Sequence, residues 1–471
     1  MKKIAPRISG WLTIVLLSFS LSNLNAQDTV RVDFQEFVDI ATSHASNLDA
    51  RRKQIDLAEN RLEQVQASRI LPDLELTTAH GLVPGVKSQD PDLSSGQYYL
   101  DPNLENDWED WGIFTQAQIS GIQPIYTWGG LKNASNAAQK GVEAAQHEFD
   151  SEKDSFKLQL FELYQSALLV MELERLVNDA VSQLNQAEQE LEKLREEGDP
   201  SLEEKDVFEF YIFKEEFQAM IVEVKQTKNF IFQSWDIVLA SDGYTRYLPR
   251  ERFLDPVPVR IQELSFYQSN AIDNRSELRG IEAAREAARY GVQAARSQYY
   301  PNLVMGLSAG LGYTPNRPRQ TNPFIRNRTN FMSASVGFGF RQNLNFRQVN
   351  KNVQRSRIQQ RQADDYQNAA RDGIQLELNE QYRNAKVTES RKNSKSNALQ
   401  LSNEWLRTEQ IDFDLGFGDI KNLVDAVKKK MELELEVTEL TFDLNLSIAK
   451  LHRAAGLPLQ ELITNSGRTS H

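Results

Sequence analysis

Two kinds of hydrophobic pattern alternate along this chain. In the first, apolar residues recur every three or four positions. Phe156, Leu160, Leu163, Ala167, Val170, Leu173, Val177, Val181 and Leu184 form one stripe, as a helix burying one face requires. In the second, they alternate. Over 302–313, Leu303, Met305, Leu307, Ala309, Leu311 and Tyr313 fall on one side, with Val304, Gly306, Ser308, Gly310 and Gly312 on the other. Over 330–342, Met332, Ala334, Val336, Phe338 and Phe340 oppose Ser333, Ser335, Gly337 and Gly339. Period two predicts strands with one greasy face and one small or polar face. Weaker strands are predicted over 73–83 and 112–127.

The pattern also repeats. Leu71-Pro72-Asp73-Leu74 returns as Tyr300-Pro301-Asn302-Leu303, and the turn at Gly198-Asp199-Pro200 returns near Gly416. The expected organisation is two structural repeats, 27–248 and 261–458, joined by a linker over 249–260 and followed by a tail over 459–471. Each repeat reads helix, strand, loop, strand, long helix, turn, helix. The helices are placed at 33–69, 129–197 and 203–238, then at 261–299, 347–410 and 419–455. In each repeat the two shorter helices together nearly equal the long one. Stacked end to end they would match it in columns about 100 Å long at 1.5 Å per residue, the dimension of a tube wall or stalk.

Composition narrows the chemistry. Cysteine is absent, which removes disulfides and thiolate sites, and the five histidines are scattered without metal-ligand spacing. No nucleophile constellation is visible, so an enzyme is not expected, and neither is a cofactor. A formal charge of -12 argues against a nucleic-acid partner, which needs clustered Lys and Arg. Residues 1–26 read as a signal peptide: a basic start at Lys2, Lys3 and Arg7, a short apolar run from Trp11 to Leu21, and Ala26 before the expected cleavage point. Beyond it no apolar run is long enough for a membrane helix.

The strands therefore carry any membrane reading. Four strands cannot close a barrel, and an open edge is forbidden in lipid, so several chains must contribute. Two chains would give a filled barrel of eight strands, and three would give twelve strands with a lumen. Met332, Ala334, Val336, Phe338 and Phe340 suit lipid, and Phe338, Phe340, Tyr126 and Trp128 suit an interfacial aromatic belt. The acidic stretch 87–111 and the stretch 314–328 with four arginines read as loops that either meet through opposite charge or stand apart.

Several pieces in this order resemble the TolC-type outer-membrane efflux proteins over essentially the whole mature chain. They are Ala67-Ser68-Arg69-Ile70-Leu71-Pro72-Asp73-Leu74, Gln123-Pro124-Ile125-Tyr126 with Trp128-Gly129-Gly130, Gln298-Tyr299-Tyr300-Pro301-Asn302-Leu303, and the hairpin from Asp414 to Ala426. The resemblance implies an α+β membrane protein: a homotrimer with a twelve-stranded transmembrane β-barrel over a long α-helical periplasmic barrel. It also implies docking to a periplasmic adaptor (membrane fusion) protein and an inner-membrane pump of RND or ABC type. The family narrows its tunnel with two rings of aspartate near the last turn. The matching positions here are Asn422 and Asp425, with Asp419 three residues earlier as a displaced candidate. The competing reading is of ordinary solvated helix acids. The family's polar ties around this turn align with Phe413 and Gly418, which cannot make the same bonds. Leu415, Gly416, Phe417 and Gly418 resemble the adaptor-contacting tip, and a plain helix-turn-helix cap would use the same glycines. The implied function is an exit duct for efflux or type I secretion. Its rival is a periplasmic coiled-coil scaffold or adaptor whose strands form a small soluble sheet.

Overall fold

Long helices joined by short turns dominate the structure, a computed structural model that describes residues 28–464 apart from 71, 91, 93–99, 199–201, 320, 321, 323, 326 and 416. The expected signal peptide lies outside the described residues. The chain divides into two units, one holding residues up to His44 with Ser166–Leu254, the other holding Ala45–Gln165 with Asp255 onward. No helix among the described residues is long and apolar enough to cross a membrane.

In the first unit, β1 (Asp28–Val32) pairs in parallel with β4 (Thr245–Pro249). Neither is foreseen by the alternation, because five residues give too few repeats and the partner is more than two hundred residues away. Strand β4 thus closes the expected first repeat and takes in only Pro249 of the expected linker. Between them come α1 (Phe34–Ser43), the C-terminal part of α3 (Gly130–Glu197) and α4 (Glu204–Val238). Asp33 caps α1 in a capping box with Glu36, and Arg250 bonds both carboxylates. Phe37 packs on Trp235 with ring centroids 4.3 Å apart. Along α3 and α4, Lys214 pairs with Glu188 and Lys228 with Glu174.

The second unit carries α2 (Ser46–Ile70), β2 (Asp73–Lys87), β3 (Glu105–Tyr126), the start of α3, α5 (Leu264–Asn274), α6 (Ser276–Ser297), β5 (Asn302–Tyr313), β6 (Phe331–Arg341), α7 (Phe346–Asp414), α8 (Ile420–Ala454) and α9 (Glu461–Thr464). The stretch read as one helix over 33–69 is two helices. The break follows side-chain competition for the last turn of α1: Ser43 donates to the Ile40 carbonyl, and the His44 ring lies 3.0 Å from the same oxygen. The stretch 261–299 is also broken, at Arg275. That residue leaves the helical region (φ -67°, ψ 121°), with its guanidinium buried.

Arg275 is the centre of a four-charge cluster. It bonds Glu277 through two nitrogens, Glu377 on α7 at 2.5 Å, and the Ala454 carbonyl at the end of α8. Arg453 closes the ring, bonding Glu377 and Glu277 at 3.0 Å each and Ser155 on α3 at 2.9 Å. Burial would push the Glu277 carboxyl up, but the bonds and charge of Arg275, with Arg453 behind, outweigh it and hold the group at about 2. Nearby, buried Asn445 accepts from the Val257 N–H and donates to Gln165 and to the Asp255 carbonyl, fixing the chain that enters α5.

Candidate functional site

Two regions of the second unit bear the side chains singled out by the sequence, the sheet and the turn between α7 and α8. The sheet is four-stranded and antiparallel, in the order β2-β3-β5-β6. Directly opposed residues of an antiparallel pair share a face, so the register assigns the faces across all four strands. Leu307 opposes Val336 on one side and Gly121 on the other, while Leu74 opposes Gly121. One face therefore carries Leu74, Leu76, Leu82, Ile113, Ile119, Leu303, Met305, Leu307 and Leu311, with Met332, Ala334, Val336, Phe338 and Phe340. The other carries Glu75, Thr77, Gln116, Gln118, Ser120, Ser308, Ser333 and Ser335 among glycines.

The apolar face is uncovered. Met332 is 82%, Val336 67%, Phe338 71% and Phe340 77% exposed, and Ala334 is exposed with them. Leu74, Leu76, Leu82, Ile113 and Leu311 are more than half exposed. His80, Thr78 and Thr115 interrupt it with polar groups, but in water an exposed surface this apolar would still be an aggregation hazard. Strands β2 and β6 each have one unpaired edge in the sheet. Every link to a helix (Ile70 to Asp73, Tyr126 to Gly130, Ser297 to Asn302, Arg341 to Phe346) leaves the same end of the sheet, because the strands run antiparallel.

Aromatic residues mark that end. Tyr126 packs edge-on to Trp128 at 5.2 Å, and Trp128 lies 5.1 Å from Tyr300 and donates its indole N–H to the Pro301 carbonyl at 2.8 Å. Tyr300 is a member that the sequence reading missed, although it stands beside the repeated Pro301-Asn302. At the opposite end the two polar loops do meet, and the contacts among the described residues run to backbone carbonyls and an amide rather than between opposite charges. Arg317 donates to the Pro84 carbonyl at 3.0 Å, and Asn316 to the carbonyls of Asp110 and Val83. These bonds brace the place where Trp108, Glu109 and Asp110 are extra residues in the β2–β3 register.

At the α7–α8 turn the chain reverses tightly. The N–H groups of Phe417 and Gly418 both donate to the Asp412 carbonyl at 2.9 Å. A Cβ on Gly418 would lie 2.5 Å from the Phe413 nitrogen, so only glycine fits against that backbone. Leu415 and Phe417 stand out to solvent, Phe417 at 86% exposure. Gly416 lies outside the described residues. Asp419 is the N-cap of α8, its carboxylate accepting from the Lys421 N–H at 3.0 Å. Asn422 and Asp425 are exposed one turn apart, while Leu423 and Ala426 between and after them are buried. The two candidate gate residues thus share the face that α8 turns away from its own packing. No group of three or more His, Asp or Glu side chains suited to a metal occurs among the described residues.

No protein-family model and no curated protein matches the sequence. Solved structures do. The CmeC outer-membrane channel of Campylobacter jejuni aligns with a TM-score of 0.69 at 13% identity, over 90% of this chain and 85% of that one. The MtrE outer-membrane channel of Neisseria gonorrhoeae, in its open state, aligns at 0.69 and 14% identity, over 90% and 89%. The outer-membrane protein VceC of Vibrio cholerae aligns at 0.67 and 14% identity, over 90% and 96%. With TM-scores of 0.67 to 0.69 over 85–96% of the matched chains, this chain has the α+β fold of the TolC-type outer-membrane channels.

Proposed function

We propose that the protein is a passive exit duct in the outer membrane, with a large periplasmic part, through which substrates leave the cell. The observation that carries this reading is the uncovered apolar face of the β2-β3-β5-β6 sheet, flanked by two unpaired strand edges. Lipid is the solvent that such a face suits, and further copies of the chain are what such edges need. Strands β5 and β6, of 12 and 11 residues, are long enough for the roughly 9–11 residues that a tilted strand needs to span a bilayer. Three copies would close a twelve-stranded barrel whose polar face lines a lumen. The order α2-β2-β3-α3-α4 followed by α6-β5-β6-α7-α8 supports two structural repeats, 27–248 and 261–458.

In this reading the exposed Leu415 and Phe417, on the turn that Gly418 makes possible, form the surface met by a periplasmic adaptor protein. An inner-membrane pump of RND or ABC type, in a tripartite efflux or type I secretion system, supplies the energy. Asp425 narrows the axis, with Asn422 one turn away. Asp419 stands beside them, though its carboxylate is already engaged as a helix cap. Three copies of Asp425 converging on an axis would favour cations.

The test is single-channel conductance of the detergent-extracted protein in planar bilayers, beside Asp425→Ala. A small, stable conductance that becomes larger or less cation-selective in the variant is expected. A conductance indifferent to the substitution would keep the duct and remove Asp425 from its gate. Protein that conducts nothing and stays soluble without detergent would be a scaffold instead.

A further inference from the structure

The polar face of the four-stranded sheet changes along its length. Toward the helices it is a bare wall. Gly337 and Gly339 have open space where a Cβ would stand, and Gly306 meets only the Gly337 carbonyl, 3.9 Å away. Ser308 and Ser335, directly opposed, continue that small and polar surface. Toward the loops, glycines of the same face lie under side chains from neighbouring strands. A Cβ on Gly81 would stand 2.5 Å from the Phe114 ring, and one on Gly312 would stand 2.5 Å from the Phe331 ring. The Phe331 ring also reaches the Gly310 position, at 3.2 Å. Beyond the rings, the Asn316 side chain fills the space over Gly112, where the β5–β6 loop crosses this face.

The register confirms which face the rings occupy. Phe114 opposes Gly81 and Phe331 opposes Gly312, and both pairs share the side of Gln116, Ser308 and Ser335. Gly312 is buried beneath its ring, while each phenylalanine stays half-buried. One side of each ring rests on glycine and the other is free. Ala79 and Val83 flank Gly81 on the same face. An otherwise polar surface thus carries one apolar, aromatic band, confined to the end away from the helices.

A ring over a strand glycine supplies the cross-strand contact that glycine cannot make, and this accounts for the pairing. It does not account for where the rings stand. Gly306, Gly337 and Gly339 lie in the same two strands and are left uncovered. A free aromatic face on a wall in contact with water is a contact surface for solutes. It binds aromatic and aliphatic groups that leave water readily, and its negative quadrupole attracts organic cations.

We infer that Phe114 and Phe331 are specificity-determining residues of the duct, forming a contact band near its outer end for cargo with aromatic or amphiphilic surface. This rests on the duct proposed above and adds what its wall prefers. The rings are seated over β2 and β5, two strands apart, or about 9–10 Å. Three copies of the sheet would carry the band round the barrel, with one ring for every two strands. Because each ring rests on glycine, it lies close to the wall and retards what touches it without closing the passage. Inorganic ions and hydrophilic solutes gain nothing from the band.

The chain has no cysteine, so a single introduced thiol reports on its own surroundings. Ser333→Cys, two residues from Phe331 on the same strand and face, reads the band. Ser335→Cys, two residues further, reads the bare wall. The full-length protein, in its membrane fraction, would be treated with benzyl or methyl methanethiosulfonate, and the two rates compared at each position. Comparing positions cancels any partition of the reagents into lipid. The benzyl-to-methyl ratio is expected to be about threefold or more higher at Ser333→Cys than at Ser335→Cys, the size of one aromatic contact. Adding Phe331→Ala should erase the difference, and adding Phe331→Tyr, which keeps the ring, should retain it. Ala79→Cys, two residues from Gly81, should show the same preference and lose it with Phe114→Ala. A permanently charged trimethylammonium thiosulfonate should also modify both serine replacements, because the face lies in water. Modification by the charged reagent with equal benzyl-to-methyl ratios at the two positions would overturn the inference and leave the duct intact. Protection of both positions from the charged reagent would overturn both.

Discussion

Within one unit of this molecule, two regions invert the usual distribution of side chains in opposite senses. On β6, Met332, Val336, Phe338 and Phe340 stand out from the sheet with nothing over them. Among the helices, Arg275 is only 5% exposed, inside a ring of charges with Glu277, Glu377 and Arg453. The charged region is complete in one chain, since each of the two carboxylates bonds both guanidiniums. The apolar region is not, because nothing in one chain removes it from water. An inward charge with its partners present is a local solution, whereas an outward apolar face is a demand on the surroundings.

That contrast can be broken at its charged end with the largest effect. Arg275→Ala should leave the half-buried Glu277 and Glu377 with one cation between them. Removing one partner from a buried pair typically destabilises by about 3–5 kcal/mol. Thermal unfolding followed by the helical signal, in detergent, would read the loss. An unchanged midpoint would mean that water reaches the cluster freely.

At the apolar end, Val336→Arg should destabilise the inserted state by about 2–4 kcal/mol if this strand crosses lipid near mid-depth. Ser335→Arg, one residue away on the other face, should be tolerated because a lumen admits charge. Recovery of each variant from the outer-membrane fraction separates the two. Equal recovery would mean that the faces are not in different solvents.

The smallest expected effect is a titration. Glu277 is held at about 2, below its ordinary value of 4.5, so its bonds stabilise the fold fully above about pH 4.5 and progressively less as the pH falls toward 2. Up to about 3 kcal/mol should be lost over that window, less whatever solvent screens. Glu277→Gln should flatten this part of the stability profile and leave the rest.

The elements written by periodicity were legible without coordinates. Alternation at 303–313 and 332–340 marks β5 and β6, and long intervals without proline mark α3 and α7. The same patterns were silent on β1 and β4, whose pairing is non-local, and on the break at Arg275. Nothing near Arg275 in sequence announces Glu377 or Arg453, which reach it from α7 and α8. Among the candidate site residues, the β6 stripe is exposed on one face of the sheet, and Asn422 and Asp425 are exposed one turn apart on α8. The fit of Gly418 against the Phe413 backbone, and the engagement of Asp419 as a cap, came from the turn's geometry alone.

By itself, then, the sequence determined where the long helices and the strands of the four-stranded sheet fall, and that those strands have two unlike faces. Period and breaker residues act over a few neighbours, and those are written in order along the chain. Only the tertiary structure decided which faces align into one apolar surface, which strands remain at the edges, and which charges meet inside. Each depends on register between segments far apart in the chain. A shift of one residue in that register would have turned every apolar side chain of a strand to the other side.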